Sequence, residues 1–220
     1  MVEVSVSILS VQQENAIRTF YNLEEAKVNY FHIDVMDGKF VEQDTSSIMR
    51  EYTEYLKQIT NVPLDVHLMV EDVEAYIQSY SAMEPNSITF HLESAKNRED
   101  VLKWIHLIRD FGIKVGISIK PNTKVEEIIP YLPYINVCLV MSVEPGYGGQ
   151  TFQEEAISKI EELKEYRDRE QLDFLIEVDG GIDEETVSLV KKAGCDIVVA
   201  GTYILQAKDK KEAVAILKKE

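Results

Sequence analysis

What this sequence lacks narrows the reading first. No apolar run approaches the roughly 18–20 residues that a membrane span needs, so no membrane partner is expected. Met1-Val2-Glu3-Val4 is not a basic stretch followed by an apolar core, which leaves no secretory leader to expect. A cytoplasmic protein is the resulting expectation. Basic residues are few, 23 against 39 acidic ones, for a formal net charge of −16. That balance argues against non-specific nucleic-acid binding and against anionic membrane surfaces. Cysteine is scarce too. Cys138 and Cys195 both sit inside apolar runs and form no Cys-x-x-Cys, so buried free thiols in a reducing compartment are expected. A Gly-x-Gly-x-x-Gly after the first strand is missing, which weakens a dinucleotide-binding reading. No linker or low-complexity tract breaks the chain, and its 220 residues read as one domain, 1–220.

What is present is alternation. Eight short apolar runs recur, at Val4–Leu9, Val28–Asp34, Leu64–Met69, Ser87–His91, Lys114–Ile119, Asn136–Met141, Asp173–Val178 and Asp196–Ala200. Between them apolar residues fall at three- and four-residue spacing, as in Val101, Trp104, Ile105 and Ile108, or Ile157, Ile160 and Leu163 within Glu154–Lys164. Asn97 and Thr123 look like helix N-caps followed by acidic first turns, and Gly112 and Gly194 fall where helices should stop. Near-continuous apolar strands alternating with helices imply a parallel sheet covered by helices. Eight such units in this length favour a single (β/α)8 TIM barrel with a parallel eight-stranded barrel over an open doubly wound sheet.

In a barrel the chemistry gathers at the C-terminal ends of the strands, and residues i and i+2 of a strand share a face. Four strand ends carry polar residues at that spacing: His32 and Asp34, Asp65 and His67, His91 and Glu93, Glu177 and Asp179. A strand histidine taken singly is often a hydrogen-bonded core residue. Two histidines and two aspartates converging from several strands, His32, Asp34, His67 and Asp179, make a plausible ligand set for one divalent metal cation, with imidazole and carboxylate donors suiting Zn, Fe, Mn or Co. Glu93 and Glu177 read as groups that orient such ligands. His91 is left open between a site role and packing. His106, on a helix beside Trp104, reads as surface or core filler.

Glycine forms the second cluster. Gly146-Tyr147-Gly148-Gly149 follows strand six, Gly180-Gly181 follows strand seven, and Gly201-Thr202 follows strand eight. These glycines either make tight turns alone or expose backbone N–H groups that hold a phosphate, as late barrel loops do. The second reading suits an acidic chain, because it needs no basic side chain. Met36, Met69 and Met141 end strands two, three and six, and either pack the core or line a dry site.

These segments resemble ribulose-phosphate 3-epimerases. The matching stretches are Ser7-Ile8-Leu9-Ser10, His32–Val41, Asp65–Val70, Ile119-Lys120-Pro121, Val140–Gln150 and Glu177–Gly181, in order from about residue 5 to 205. The resemblance implies a (β/α)8 barrel with a divalent metal on His32, Asp34, His67 and Asp179, and Asp34 and Asp179 as the acid/base pair. It also implies a phosphorylated ketose held by Ser7, His67, Gly146, Tyr147, Gly148, Gly149, Asp179, Gly180, Gly181, Gly201 and Thr202, with Met36, Met69 and Met141 lining the reacting centre. The expected reaction interconverts D-ribulose 5-phosphate and D-xylulose 5-phosphate, in a homo-oligomer.

The chain departs from that family at Val11-Gln12, where Ala-Asp is usual, and at Glu42–Ser47, where a Pro-Asn pair and a Thr before Gly-Pro are usual. Ala200-Gly201-Thr202 replaces Ser-Gly-Ser but keeps a hydroxyl. A sister family of allulose-6-phosphate 3-epimerases tends to carry Gly-Phe-Ala-Gly and Asp-Gly-Ser at two of the glycine loops. The glycine pairs here favour the pentulose phosphate. Related barrel decarboxylases and aldol-type enzymes carry Asp-x-Lys-x-x-Asp, but this chain has Met36 where the lysine belongs. A non-catalytic phosphosugar sensor is disfavoured because all four metal-ligand positions are kept.

Overall fold

The structure is a computed structural model that describes residues 2–219; Met1 and Glu220, the ends of the expected domain, lie outside the described residues. Eight parallel strands close in sequence order into one barrel: β1 (Glu3–Ser7), β2 (Tyr30–Met36), β3 (Leu64–Met69), β4 (Ser87–His91), β5 (Lys114–Ile119), β6 (Val137–Met141), β7 (Leu175–Asp179) and β8 (Ile197–Ala200). Around it run α1 (Ala16–Glu25), α2 (Ser46–Ile59), α3 (Val73–Ser81), α4 (Arg98–Asp110), α5 (Val125–Ile128), α6 (Glu155–Glu170), α7 (Thr186–Ala193), α8 (Thr202–Gln206) and α9 (Lys210–Lys218). None of the described helices is long and apolar enough to cross a membrane.

The (β/α)8 expectation holds, and each of the eight apolar runs overlaps a strand. The boundaries moved by up to two residues, since cross-strand hydrogen bonding sets strand ends and apolar content does not. Ile8 is fully buried although β1 has already ended at Ser7. The helix expected at Glu154–Lys164 runs on to Glu170, where Gln171 closes it in a left-handed conformation. Asn97 caps α4 as expected, accepting from the Asp100 N–H at 3.0 Å. Thr123 does not cap α5. Its hydroxyl donates to Glu93 instead, and α5 is one short turn that passes into a 3-10 segment carrying Pro130 and Pro133. Gly112 follows the end of α4, and Gly194 ends α7, both at positive φ. Cys138 and Cys195 are buried free thiols.

Alternate strand residues face outward and build the main core. Val4, Val6, Ile33, Val66, Leu68, Ile88, Phe90, Ile117, Val140, Ile176 and Val198 join one apolar cluster with Phe20, Leu23, Tyr52, Leu56, Ile77, Ile105, Ile108, Ile160 and Leu163 from the helices. Each such side chain contributes about 1.5–3 kcal/mol when fully buried, so this jacket supplies the stability. The other strand face differs. Barrel interiors are commonly filled by branched apolar residues; here Met36, Met69, Val137, Leu139, Met141, Ile197 and Val199 share burial with Ser5, His32, Asp65, Ser87, Thr89, Ser118 and Glu177, and Leu139, Met141 and Val143 form a small apolar group apart from the jacket. The oxygens Thr89 Oγ1, Ser118 Oγ and Glu177 Oε1 find no hydrogen-bond partner. An unsatisfied buried group costs about 1–3 kcal/mol. A polar filling kept at such cost marks the interior as functional rather than structural.

Candidate active site

Register brings the polar pairs together. Asp34 of β2 lies beside His67 of β3, and His32 lies beside Asp65. Met141 of β6 pairs with Asp179 of β7. Four ligand atoms, one each from His32, Asp34, His67 and Asp179, lie within 4.8 Å of one another. His32 Nε2 is 3.4 Å from Asp34 Oδ1 and 3.9 Å from Asp179 Oδ2. His67 Nδ1 is 3.3 Å from Asp34 Oδ1, 4.0 Å from Asp179 Oδ2 and 3.4 Å from His32 Nε2. Donor atoms about 2.0–2.1 Å from a central ion stand about 3.3–3.4 Å apart in a tetrahedron, so these spacings leave room for one small dication.

The remaining edge of each ring is engaged elsewhere. His32 Nδ1 meets Asp65 Oδ2 at 2.6 Å, and Asp65 also accepts from the Ser5 and Ser87 hydroxyls at 3.1 and 3.0 Å. His67 Nε2 meets His91 Nε2 at 2.9 Å. His91 Nδ1 lies 3.1 Å from Glu93, which accepts the Lys120 N–H at 2.8 Å. Asp34 is braced twice: the Ser7 hydroxyl donates to its Oδ2 at 2.7 Å, and Thr45 donates to its carbonyl at 2.6 Å while accepting the Met36 N–H.

Electrostatics separate the two aspartates. Burial alone would raise Asp34, but His32 and His67 outweigh it and hold the carboxyl well below its usual range. Asp179 is pushed up to about 6, chiefly by burial and next by the charge of Asp34. Burial would lower the His32 imidazole, yet Asp34 and Asp65 hold it well above its usual value. The carboxylates that favour a proton on His32 equally favour a cation between the rings. Glu177 is raised well above the carboxylate range by burial and by Asp65. Burial pushes His91 down to about 4, while Glu93 falls to about 2 because His91 and the Lys120 and Thr123 donors overcome its burial.

Above this cluster a cavity of about 660 Å³ opens at the C-terminal ends of the strands. Asp34 and Asp179 reach it, with Met36, Met69 and Met141 as its buried floor. His32 and His67 are fully buried beneath. Ser7, beside Asp34, and Gly146 to Gly149, Gly180, Gly181, Gly201 and Thr202 also line it, and among the described residues no lysine or arginine lines the cavity. Gly181 has φ +64°, and a Cβ there would stand 2.5 Å from the Phe152 backbone nitrogen. That glycine is therefore required by backbone approach as well as by conformation. Ser142 donates toward the Asp179 and Gly180 carbonyls, and the Gln150 amide donates to the Glu144 and Tyr147 carbonyls, so both loops are held in shape. The Tyr147 side chain is half exposed and points its hydroxyl at Glu42, 2.9 Å away.

Sequence reading placed Asp65 on the right face but gave it no task; its contact with His32 supplies one. Thr45, Ser142 and Lys159 were given no task, because each acts on a backbone group contributed by another part of the chain, and Gln150 was given none although it bonds carbonyls of its own loop. Lys159 of α6 donates to the carbonyls of Lys120, Pro121 and Thr123 at 2.8, 2.7 and 2.6 Å and clamps the β5–α5 loop. His106 is exposed on α4, away from the cluster.

Comparison with known proteins follows the same lines. A family model described as the ribulose-phosphate 3 epimerase family matches residues 3–205. A ribulose-phosphate 3-epimerase of Mycobacterium tuberculosis is 38% identical over 200 residues, covering 90% of this chain and 85% of the relative. One from Bacillus subtilis is 35% identical over 216 residues, covering 98% and 97%. Among solved structures, KGPDC from Streptococcus mutans superposes with a TM-score of 0.74 at 13% identity, covering 99% of this chain and 96% of that one, a likeness of fold.

Proposed function

The chain belongs to the ribulose-phosphate 3 epimerase family, and we propose that it inverts carbon 3 of a phosphorylated pentulose, interconverting D-ribulose 5-phosphate and D-xylulose 5-phosphate. It is an isomerase. The observation that carries the reading is the pairing of Asp34 and Asp179: two carboxyls from strands three apart around the ring, converging with His32 and His67 and reaching one cavity that glycine loops also line.

The donor set fits a metal. His32 Nε2, His67 Nδ1 and one oxygen each of Asp34 and Asp179 would hold a single divalent ion of the zinc, iron, manganese or cobalt type. A metal held there would supply Lewis-acid stabilisation of the negative charge that develops on the substrate's oxygens. The two aspartates do the proton work. One removes the proton from carbon 3; the C–H electron pair becomes the double bond between carbons 2 and 3, and the carbonyl π pair moves onto the carbon 2 oxygen to give the enediolate. The other returns a proton to the opposite face, and the carbonyl re-forms. The Ser7 hydroxyl on Asp34 Oδ2 keeps that carboxylate aimed at the cavity. The Met36, Met69 and Met141 floor keeps water from the reacting carbon. Backbone N–H groups of Gly146 to Gly149, Gly180, Gly181 and Gly201, with the Thr202 hydroxyl, would hold the phosphate, with Tyr147 over the outer end.

Parallel assays on D-ribulose 5-phosphate and D-allulose 6-phosphate test the reading. The pentulose is expected to be preferred by at least about tenfold in kcat/KM, or roughly 1.4 kcal/mol. A reversed preference would transfer the activity to the hexulose phosphate, and no turnover of either would remove the epimerase reading.

A further inference from the structure

Resting on the metal site proposed above, we propose that Glu93, acting through His91, is a positioning residue that sets the tautomer of His67 and so keeps His67 Nδ1 free as a ligand. Two ring nitrogens 2.9 Å apart, His67 Nε2 and His91 Nε2, share one proton, and the pair alone does not say which ring donates. Glu93 decides it. One of its oxygens lies 3.1 Å from His91 Nδ1, and the other accepts the Lys120 N–H and the Thr123 hydroxyl. A carboxylate in that position only accepts, so His91 Nδ1 carries the proton. A fully buried neutral His91 then has a bare Nε2, which accepts from His67 Nε2–H. His67 is left with Nδ1 facing Asp34 Oδ1 at 3.3 Å and His32 Nε2 at 3.4 Å, which is where a metal ligand is needed.

The relay is held in place from outside. The Phe40 ring covers His91 with centroids 4.9 Å apart, and the three bonds from Lys159 fix the loop that presents the Lys120 and Thr123 donors. His32 is treated differently. Its Nδ1 meets Asp65 directly at 2.6 Å, with no intermediate ring that could be reversed. Outer partners of this kind commonly change metal affinity by about 10–100-fold.

Glu93→Gln isolates the relay because it keeps shape and removes only the acceptor. The amide oxygen satisfies Lys120 and Thr123, so the NH₂ group faces His91 Nδ1. His91 must then carry its proton on Nε2 and donate to His67, which puts a proton on His67 Nδ1. Zinc dissociation constants from chelator competition, and nitrogen-15 spectra of histidine-labelled protein with and without zinc, read the two consequences. Wild type is expected to show His91 as the Nδ1–H tautomer in both states. E93Q is expected to show the Nε2–H tautomer and to bind zinc about 10–100-fold more weakly. Glu93→Asp, which keeps a carboxylate, is expected to restore the wild-type tautomer and most of the affinity.

An unchanged His91 tautomer in E93Q, or a reversed tautomer with unchanged zinc affinity, overturns the proposal. A wild-type spectrum with His91 as Nε2–H overturns it without any variant, which covers the case of E93Q failing to fold. Wild type that binds no zinc, yet shows His91 as Nδ1–H, upholds the relay and defeats the metal reading.

Discussion

The two halves of the barrel mouth handle charge by opposite means. At the strand ends of β2, β3, β4 and β7 side chains do the work: two histidines and two aspartates converge, and His32, His67 and Asp34 are each braced by a further polar partner. In the other half the loops that follow β6, β7 and β8 offer mostly bare backbone, with glycines at positive φ at positions 146, 149, 180 and 181. The difference follows from the charges each half has to meet. A dication is held by anionic and lone-pair donors, which an acidic chain has in excess. A phosphate dianion would be repelled by a chain of net charge −16, with salt screening that repulsion over about 8 Å. Oriented N–H groups attract it locally without adding cationic side chains, in keeping with a cavity that no described lysine or arginine lines.

The sharpest way to break the side-chain half is to neutralise its proton carriers. Asp34→Asn and Asp179→Asn are each expected to lower turnover by about 10²–10⁴-fold or more, since a general acid–base group typically contributes that much and each variant would also lose an anionic donor of the proposed metal site. In deuterated water, early wild-type product should carry deuterium at carbon 3 and recovered substrate much less, as two separate bases require. Equal labelling of both from the first turnovers favours one shared base, and near-normal turnover in either variant removes the two-aspartate assignment.

A crossed pair of variants then asks whether the halves are independent. His67→Ala should lose the divalent metal, measured by metal analysis after dialysis, while His106→Ala, an exposed position, should keep it. Gly181→Ala should keep the metal but weaken the substrate, because its Cβ would meet the Phe152 backbone at positive φ. Strain of about 1–3 kcal/mol is expected there, or roughly 10–100-fold in KM if it falls wholly on the phosphate loop. Metal loss in G181A, or metal retained in H67A, would show that the two halves are not separable as described.

How legible this was depends on the distance along the chain over which each contact acts. His32 and Asp34, Asp65 and His67, Glu177 and Asp179 were placed on one face by strand alternation, a rule that needs only two residues of context. The glycine loops were equally local. Contacts that join distant segments left no such trace. Thr123 has the sequence environment of a helix cap, yet its hydroxyl serves Glu93, 30 residues earlier. Lys159 reads as a solvated residue of an amphipathic helix, yet it is drawn in by three carbonyls 36 to 39 residues away. His91 stayed open on sequence alone because its meaning lies in which ring nitrogen faces which neighbour, and that is fixed only by the closed barrel.

The smallest effect concerns the one place where the halves touch through a side-chain hydrogen bond that the departing loop supplies. Glu42 belongs to the Glu42–Ser47 stretch that differs from the family pattern, and its carboxylate accepts from Tyr147 of the glycine loop at 2.9 Å. The same stretch also contributes Thr45, whose hydroxyl is buried against Asp34, so the loop is anchored at one end and reaches across the mouth at the other. Tyr147→Phe removes the bridge and keeps the ring. Since the pair is exposed, water replaces most of what is lost, and exposed polar pairs are worth little. The expected outcome is a rise in KM of about two- to threefold with kcat and metal content unchanged, reproduced by Glu42→Ala and not enlarged in the double variant. Additive effects of the two changes would mean that Tyr147 and Glu42 act separately. A fall in kcat would mean that the bridge reaches the proton-transfer half, so that the division of the mouth into a side-chain half and a backbone half would have to be redrawn around the β2–α2 loop.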